Sequence, residues 1–244
     1  MASIYAELIR ESRPTRGIIL GGWSLGGSLA VEIARILHVD GTVPIAGVVL
    51  IDTPCPNPAV KALLPKLRFD EHCPPETRLL VEMSVRESLR MAGSYDPPLF
   101  EGDWRRPETE PAEMAQPPPF VLLRATEYMP IEISPDPKRG MDCTRELPLL
   151  GWEHTGLGAG SWGTRVGEGQ RVELVKAVLE VQGHHCNLFE DHPEELTMQM
   201  NKACEMLERN YKRNESSGGD SEWERLVPPE YRTTNYQRKF KAKL

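Results

Sequence analysis

Gly22-Trp23-Ser24-Leu25-Gly26 follows a short apolar run, Gly17-Ile18-Ile19-Leu20-Gly21, and opens an amphipathic stretch from Ser28 to Leu37. In that strand–turn–helix context a G-x-S-x-G spacing reads as a nucleophile elbow. The serine sits on a strained turn at the tip of the strand, and its hydroxyl points into open space. Glycines two before and two after it let strand and helix pass close together without a Cβ clash. Gly27 adds room at the start of the helix, whose N-terminus favours developing negative charge. A serine hydroxyl is a poor nucleophile at neutral pH. It needs an imidazole to take its proton and a carboxylate to hold that imidazole in the right tautomer.

The chain order expected for such a set is serine, acid, histidine. The histidines after the elbow are 38, 72, 154, 184, 185 and 192. His38 ends the elbow helix and reads as a surface residue or C-cap, while His72 and His154 fall in irregular segments. The pair His184-His185 follows the last predicted strand and precedes the last helix, where the base belongs, and the residues alone leave both open. His192 precedes Pro193 and starts the final helix. A zinc reading of His184, His185, Cys186 and His192 lacks a second ligand cluster. For the acid, Asp52 ends the strand after the elbow helix and Glu127 lies just past the next strand. Asp136 and Asp142 are weaker alternatives in the loop beyond. A strand's C-terminal edge is where ligand-facing residues collect in open parallel sheets, although an aspartate there is often only a turn or helix cap.

The elements that position these groups read as alternating helices and buried strands. Residues 3–12 suit a short helix with Ile4, Leu8 and Ile9 on one face, ended by Pro14 and Gly17. The elbow helix carries Leu29, Ile33, Ile36 and Leu37 on its buried side, and Gly41 and Pro44 follow it. Ile45 to Ile51 is a continuous apolar run, as expected of a parallel strand covered on both faces, and Phe120 to Ala125 is the next buried strand. The first is stopped by Pro54 and Pro56. Between them, 57–117 holds amphipathic pieces at 59–68 and 76–92 and a Pro- and Glu-rich stretch from Pro97 to Pro119, an insertion with the character of a lid. Residues 134–170 look mostly irregular, with Leu149-Leu150-Gly151-Trp152 as an apolar anchor. Val172 to Val181 reads as a strand and Pro193 to Tyr211 as a closing helix with Leu196, Met200, Ala203 and Leu207 on one face. The polar segment 213–244 reads as a poorly ordered tail.

With 244 residues the chain can build one full α/β domain. A formal charge of −7 and a pI near 5.5, with no basic stripe, argue against nucleic acid. No run of 18 apolar residues is present to span a membrane, and the N-terminus lacks the pattern of a signal peptide. Five cysteines without a C-x-x-C pair suit a reduced, cytoplasmic protein. No metal or diffusible cofactor is implied, because nucleophilic chemistry of this kind is complete without one.

Gly21-Gly22-Trp23-Ser24-Leu25-Gly26-Gly27, with Ala30, Glu32 and Ala34 on the helix, resembles the releasing thioesterase domain of polyketide and non-ribosomal peptide synthases. Val48 to Pro56 is similar to the fungal non-reducing polyketide synthase version in particular, and Leu150-Gly151-Trp152 before a terminal Gly-x-His block fits the same family. The resemblance covers roughly residues 5–208. It implies an α/β-hydrolase-like, mostly parallel sheet with a helical lid formed by 57–117. Across α/β-hydrolases at large the acid more usually stands where Glu127 does; in this family it follows the strand after the elbow helix, which selects Asp52. The third position of Gly183-His184-His185 selects His185 as base. The implied reaction is attack by Ser24 on an acyl thioester carried by a phosphopantetheine arm, followed by hydrolysis or cyclisation. An acyl carrier protein or a polyketide synthase is the implied partner.

Only 23 residues precede Ser24, so the resemblance also implies a sheet lacking its N-terminal strands. One oxyanion amide is that of Leu25; the second normally comes from a loop on an earlier strand, and loss of one such donor costs about 10²–10³ in turnover. The expected ways round this are a second chain, a domain cut short, or a degenerate hydrolase. Two other functional readings use the same residues: a general serine esterase, and a truncated, weakly active remnant with a binding role.

Overall fold

The computed structural model describes residues 1–56, 67, 69–99, 101–104, 116–130, 142–153, 172–217 and 223–243. Helix α1 (Ala2–Glu11) precedes strand β1 (Ile18–Trp23), helix α2 (Leu25–Asp40) and strand β2 (Ile45–Ile51). Helix α3 (Pro75–Ser94) follows within the insertion, then β3 (Phe120–Ala125), β4 (Val175–Val181), α4 (Pro193–Ser217), α5 (Trp223–Leu226) and α6 (Thr233–Lys243). The four strands form one parallel sheet in the order β1-β2-β3-β4.

The apolar runs form strands because both their faces are covered. Phe120 and Leu122 of β3 point to one side, where Ala30, Val31 and Ala34 of α2 meet them. Val121, Leu123 and Ala125 point to the other, against Leu196, Ala203, Met206 and Leu207 of α4. The alternation has the period of two that a pleated strand requires. Parallel register brings the C-terminal ends of β1 to β4 to the same edge, and with them the residues that follow each strand.

Helix α2 starts at Leu25, directly after the serine and three residues earlier than the apolar spacing predicts. Its glycine-rich first turn is what permits the close packing described below. The insertion is tied to the core by Trp104, 1 % exposed, whose indole N–H donates to the Pro98 carbonyl at 3.0 Å. Helix α3 lies against α2 with none of its residues buried. The piece expected at 59–68, apart from Leu67, lies outside the described residues, as do Asp136 and His154.

The described residues of the segment expected to be a poorly ordered tail, 213–217 and 223–243, are built into the fold. Helix α4 runs on to Ser217, and Trp223 and Val227 are buried among the α4-side residues of the sheet. On the other face, Tyr236 packs in the core with Phe240 against it, and its hydroxyl donates to Glu180 Oε1 at 2.7 Å. Thr233 Oγ1 donates to the Val175 carbonyl at 2.8 Å, and Arg232 bridges to Ala177. The physical reason is the i, i+4 spacing of Trp223 with Val227 and of Tyr236 with Phe240, which gives each short segment one apolar face. The polar average of the segment hides it.

Candidate active site

Ser24 stands between β1 and α2 with φ 54° and ψ −123°, a conformation that a non-glycine residue adopts only under constraint. Its amide donates to the Ile51 carbonyl at 3.2 Å, and its carbonyl accepts from Gly27 at 3.0 Å. A serine at a helix N-cap ordinarily turns its hydroxyl onto the amides of the first turn. Here it makes no such capping bond, which leaves Oγ available and the Leu25 amide at the head of the helix. A Cβ built on Gly22 would lie 2.1 Å from the Gly26 carbonyl carbon, and one on Gly27 would lie 2.0 Å from Thr53 Oγ1. The strand and the helix are therefore in backbone contact. Gly26 behaves differently from the sequence expectation, since a Cβ there meets nothing within 4 Å.

Asp52 follows β2 at φ 42° and is fully buried. Its amide donates to the Leu123 carbonyl at 2.7 Å, so the backbone of β3 fixes the turn. The next residues are pinned by the predicted apolar anchor. The Cys55 amide donates to the Leu150 carbonyl at 2.8 Å, and the Trp152 indole N–H donates to the Thr53 carbonyl at 2.9 Å.

His185 lies in the loop after β4, with no exposed surface, and its Nδ1 is 2.8 Å from Asp52 Oδ2. The loop depends on Gly183 at φ 101°, where a Cβ would come within 2.6 Å of Asn187 Oδ1. That oxygen instead accepts the His184 amide at 2.7 Å. Trp23, the residue before the serine, stacks on the His185 ring at a centroid separation of 5.0 Å and donates its indole N–H to the His185 carbonyl at 3.0 Å. Nδ1 facing a carboxylate assigns the ring proton to that nitrogen and leaves Nε2 as the acceptor. Nε2 is buried and has no hydrogen-bond partner among the described residues.

The carboxylate has further partners. Arg145, 2 % exposed, donates from Nη1 to Asp52 Oδ1 and from Nη2 to Oδ2, each at 2.7 Å. The Ala125 amide adds a bond to Oδ1 at 2.9 Å. Burial alone pushes the Asp52 carboxyl up, but the hydrogen bonds from Arg145 and His185 and the charge of Arg145 outweigh it. The group is held well below the usual carboxylate range. Burial likewise opposes the charge of Arg145, and Asp52 and Asp142 overcome it, so that guanidinium stays firmly protonated.

The structure thus brings Asp52 and His185 together, with Trp23 bridging from the imidazole to Ser24. It does not bring Glu127 to them: that side chain is exposed, and its amide donates to the Gly183 carbonyl at 2.8 Å. His184 is half-buried and accepts the Cys186 amide at Nδ1, 3.3 Å away. His72 is exposed, and His192 heads α4, its carbonyl accepting the Leu196 amide. Asp142 reaches the cluster as a partner of Arg145. Among the described residues no group of His, Cys, Asp and Glu side chains is arranged to hold a metal ion. No described helix is long and apolar enough to cross a membrane. Sequence reasoning missed Arg145, which sits in a stretch without periodicity and 93 positions from Asp52. It also assigned no role to Trp23, the position before the serine in the elbow.

Residues 1–101 match the thioesterase-domain family. The chain is 33 % identical over 216 residues to the thioesterase frbD of Dothideomycetidae sp. (strain 11243), covering 85 % of this chain and 72 % of that protein. It is 27 % identical over 232 residues to the nonribosomal peptide synthetase imqB of Aspergillus flavus, covering 85 % of this chain and 6 % of that much longer protein. Among solved structures, the NocB thioesterase domain from the nocardicin cluster superposes with a TM-score of 0.50 at 22 % identity. It covers 84 % of this chain and 72 % of that one, a likeness of fold.

Proposed function

The chain belongs to the thioesterase family, and from that premise we propose that it releases an acyl chain, a polyketide in the reading that its elbow and Asp52 segments favour, through an ester formed on Ser24. The reading rests above all on one observation: a buried Asp52–His185 pair whose Nε2 has no hydrogen-bond partner among the described residues, beneath the ring of the residue that precedes the serine.

In this scheme His185 Nε2 takes the Ser24 proton as Oγ attacks the thioester carbonyl. Asp52 holds the Nδ1 proton and steadies the imidazolium that forms. The tetrahedral oxygen faces the amide of Leu25 at the positive end of α2. Collapse expels the thiol, which takes the proton back from His185 and leaves the acyl group on Ser24. Water, activated by the same imidazole, then gives the acid; a hydroxyl or an enol carbon of the acyl chain gives a lactone or a carbocycle instead. The thiol is read as the phosphopantetheine arm of an acyl carrier protein. A similar segment within a nonribosomal peptide synthetase supports a carrier-bound substrate.

The test is turnover of acyl-pantetheine thioesters of graded chain length by wild type and Ser24→Ala, with intact mass recorded in the steady state. The proposal expects thiol release by wild type alone and an acyl adduct on Ser24. Equal thiol release by both proteins refutes it.

A further inference from the structure

The Asp52–His185 pair is backed by a second buried pair. Arg145 grips both oxygens of Asp52 in a bidentate fork and donates from Nη1 to the Ala125 carbonyl at 3.0 Å and from Nε to Asp142 Oδ1 at 3.1 Å. Asp142 is itself fixed, its Oδ2 accepting the Met129 amide at 2.7 Å. Arg124 on β3 closes the cluster by donating from Nη2 to the Arg145 carbonyl at 2.6 Å. All four charged side chains are at most 4 % exposed.

Stability alone is a weak reason for such a cluster, because removing charges from water costs about as much as their attraction returns. Position is a better one. Besides the imidazole at Oδ2, only the Ala125 amide at Oδ1 would hold the Asp52 carboxylate without Arg145, and single bonds of that kind leave its last torsion, which is broad and two-fold, room to turn. A guanidinium fork fixes the carboxylate plane, and the imidazole bonded to Oδ2 is fixed with it. We propose that Arg145 is a positioning residue for this site, setting the plane of Asp52 and hence of the His185 ring, and sharing the Asp52 charge. The proposal rests on the reading of Ser24 and His185 as nucleophile and base.

The sharing of charge has a definite sign. An Asp52 carboxylate stripped of its guanidinium holds a proton on the facing imidazole more tightly, so the base is free only at higher pH. Among the described residues, the other charged or titratable groups around the pair are Asp142, Arg124, His184, Cys186 and Glu190. Burial pushes the Cys186 thiol up, and the charges of Asp142, Asp52 and Glu190 push it the same way. None of these replaces the positive charge of Arg145 at Asp52.

The experiment is the second-order rate of Ser24 phosphonylation by an alkyl fluorophosphonate, measured from pH 5 to 10 on wild type, Arg145→Lys and Arg145→Gln, with urea unfolding of each. Lysine keeps the charge but loses the fork. The expected result is an unmoved acid limb and a plateau lowered about tenfold, of the order that a displaced catalytic group costs. Arg145→Gln is expected to move the acid limb up by about one pH unit. A folded Arg145→Lys protein with the wild-type plateau overturns the positioning role, and a folded Arg145→Gln protein with an unmoved limb overturns the sharing of charge. Should Arg145→Gln not fold, the lysine variant decides the positioning role, and Arg145→Met, neutral and of similar length, is read for the acid limb in its place. Wild type that takes no label at Ser24 overturns the serine reading itself and this proposal with it.

Discussion

Replacing Gly22 by alanine puts a methyl group where the backbone of Gly26 already stands. The added Cβ would lie 2.1 Å from the Gly26 carbonyl carbon, 2.2 Å from its oxygen and 2.6 Å from the Gly27 amide nitrogen. Ordinary contact begins near 3.4 Å, so β1 and α2 must separate by about 1 Å. Neither is free to do so. Gly22 is paired with Leu50 in the sheet, and the first turn of α2 abuts the buried Thr53. Overpacking of this kind costs about 1–3 kcal/mol, and a clash of backbone on backbone belongs at the upper end. For a chain of this size that lowers the melting temperature by about 6–12 °C. The companion substitution, Gly26→Ala, has the opposite sign. Its methyl meets nothing within 4 Å, and the helical position favours alanine over glycine by up to about 1 kcal/mol. A rise of about 2–4 °C is expected. Scanning calorimetry of both variants beside wild type measures the pair. In Gly22→Ala the shifted serine is also expected to lose about 10²-fold in labelling rate, as a 1 Å misplacement does. Equal shifts for the two glycines, or a stabilised Gly22→Ala, would refute the reasoning.

Asp52→Asn and His185→Ala are expected to lose about 10⁴-fold in thioester cleavage, whereas Glu127→Gln and His184→Ala stay within about twofold of wild type; steady-state kinetics on one thioester ranks all four. Because the Asp52 carboxyl is held below its unfolded value, its contribution to stability is fully present above about pH 4 and is lost as pH falls further. Urea midpoints should therefore vary little with this group from pH 7 to 5 and fall below pH 4, and Asp52→Asn should show a shallower acid slope. Trp223→Ala and Tyr236→Ala each remove a large buried side chain, and each should cost about 3 kcal/mol in urea unfolding. A wild-type midpoint for either would contradict the packing of the C-terminal helices.

Much of the fold can be read from the residues because its central strands, β2 and β3, are buried on both faces. Ile45 to Ile51 is an unbroken apolar run and Phe120 to Ala125 is broken only by Arg124, lengths that suit a strand better than a helix. Ser24 was visible for the same reason, as a turn residue between a strand and a helix. The choice of Asp52 over Glu127 is of another kind. Both stand at strand ends, and local chemistry does not distinguish them; only the pairing of β2 with β3, and of β3 with β4, brings Asp52 to His185. Arg145 left no local signal, since a charged residue in an irregular stretch looks like solvated loop until the fold closes over it. The C-terminal helices escaped because composition averages away two pairs of apolar residues, Trp223 with Val227 and Tyr236 with Phe240. The open space over Gly26 was equally hidden, because both glycines of a motif look alike until the helix is laid against the strand.

The central claim, that Ser24 is an activated nucleophile, is tested most directly by intact mass after exposure to an alkyl fluorophosphonate, with wild type and Ser24→Ala side by side. The account predicts a single adduct on wild type, mapped to the peptide that holds Ser24, and none on the variant. A folded wild type that stays unlabelled, or an adduct of equal yield on Ser24→Ala, would contradict it.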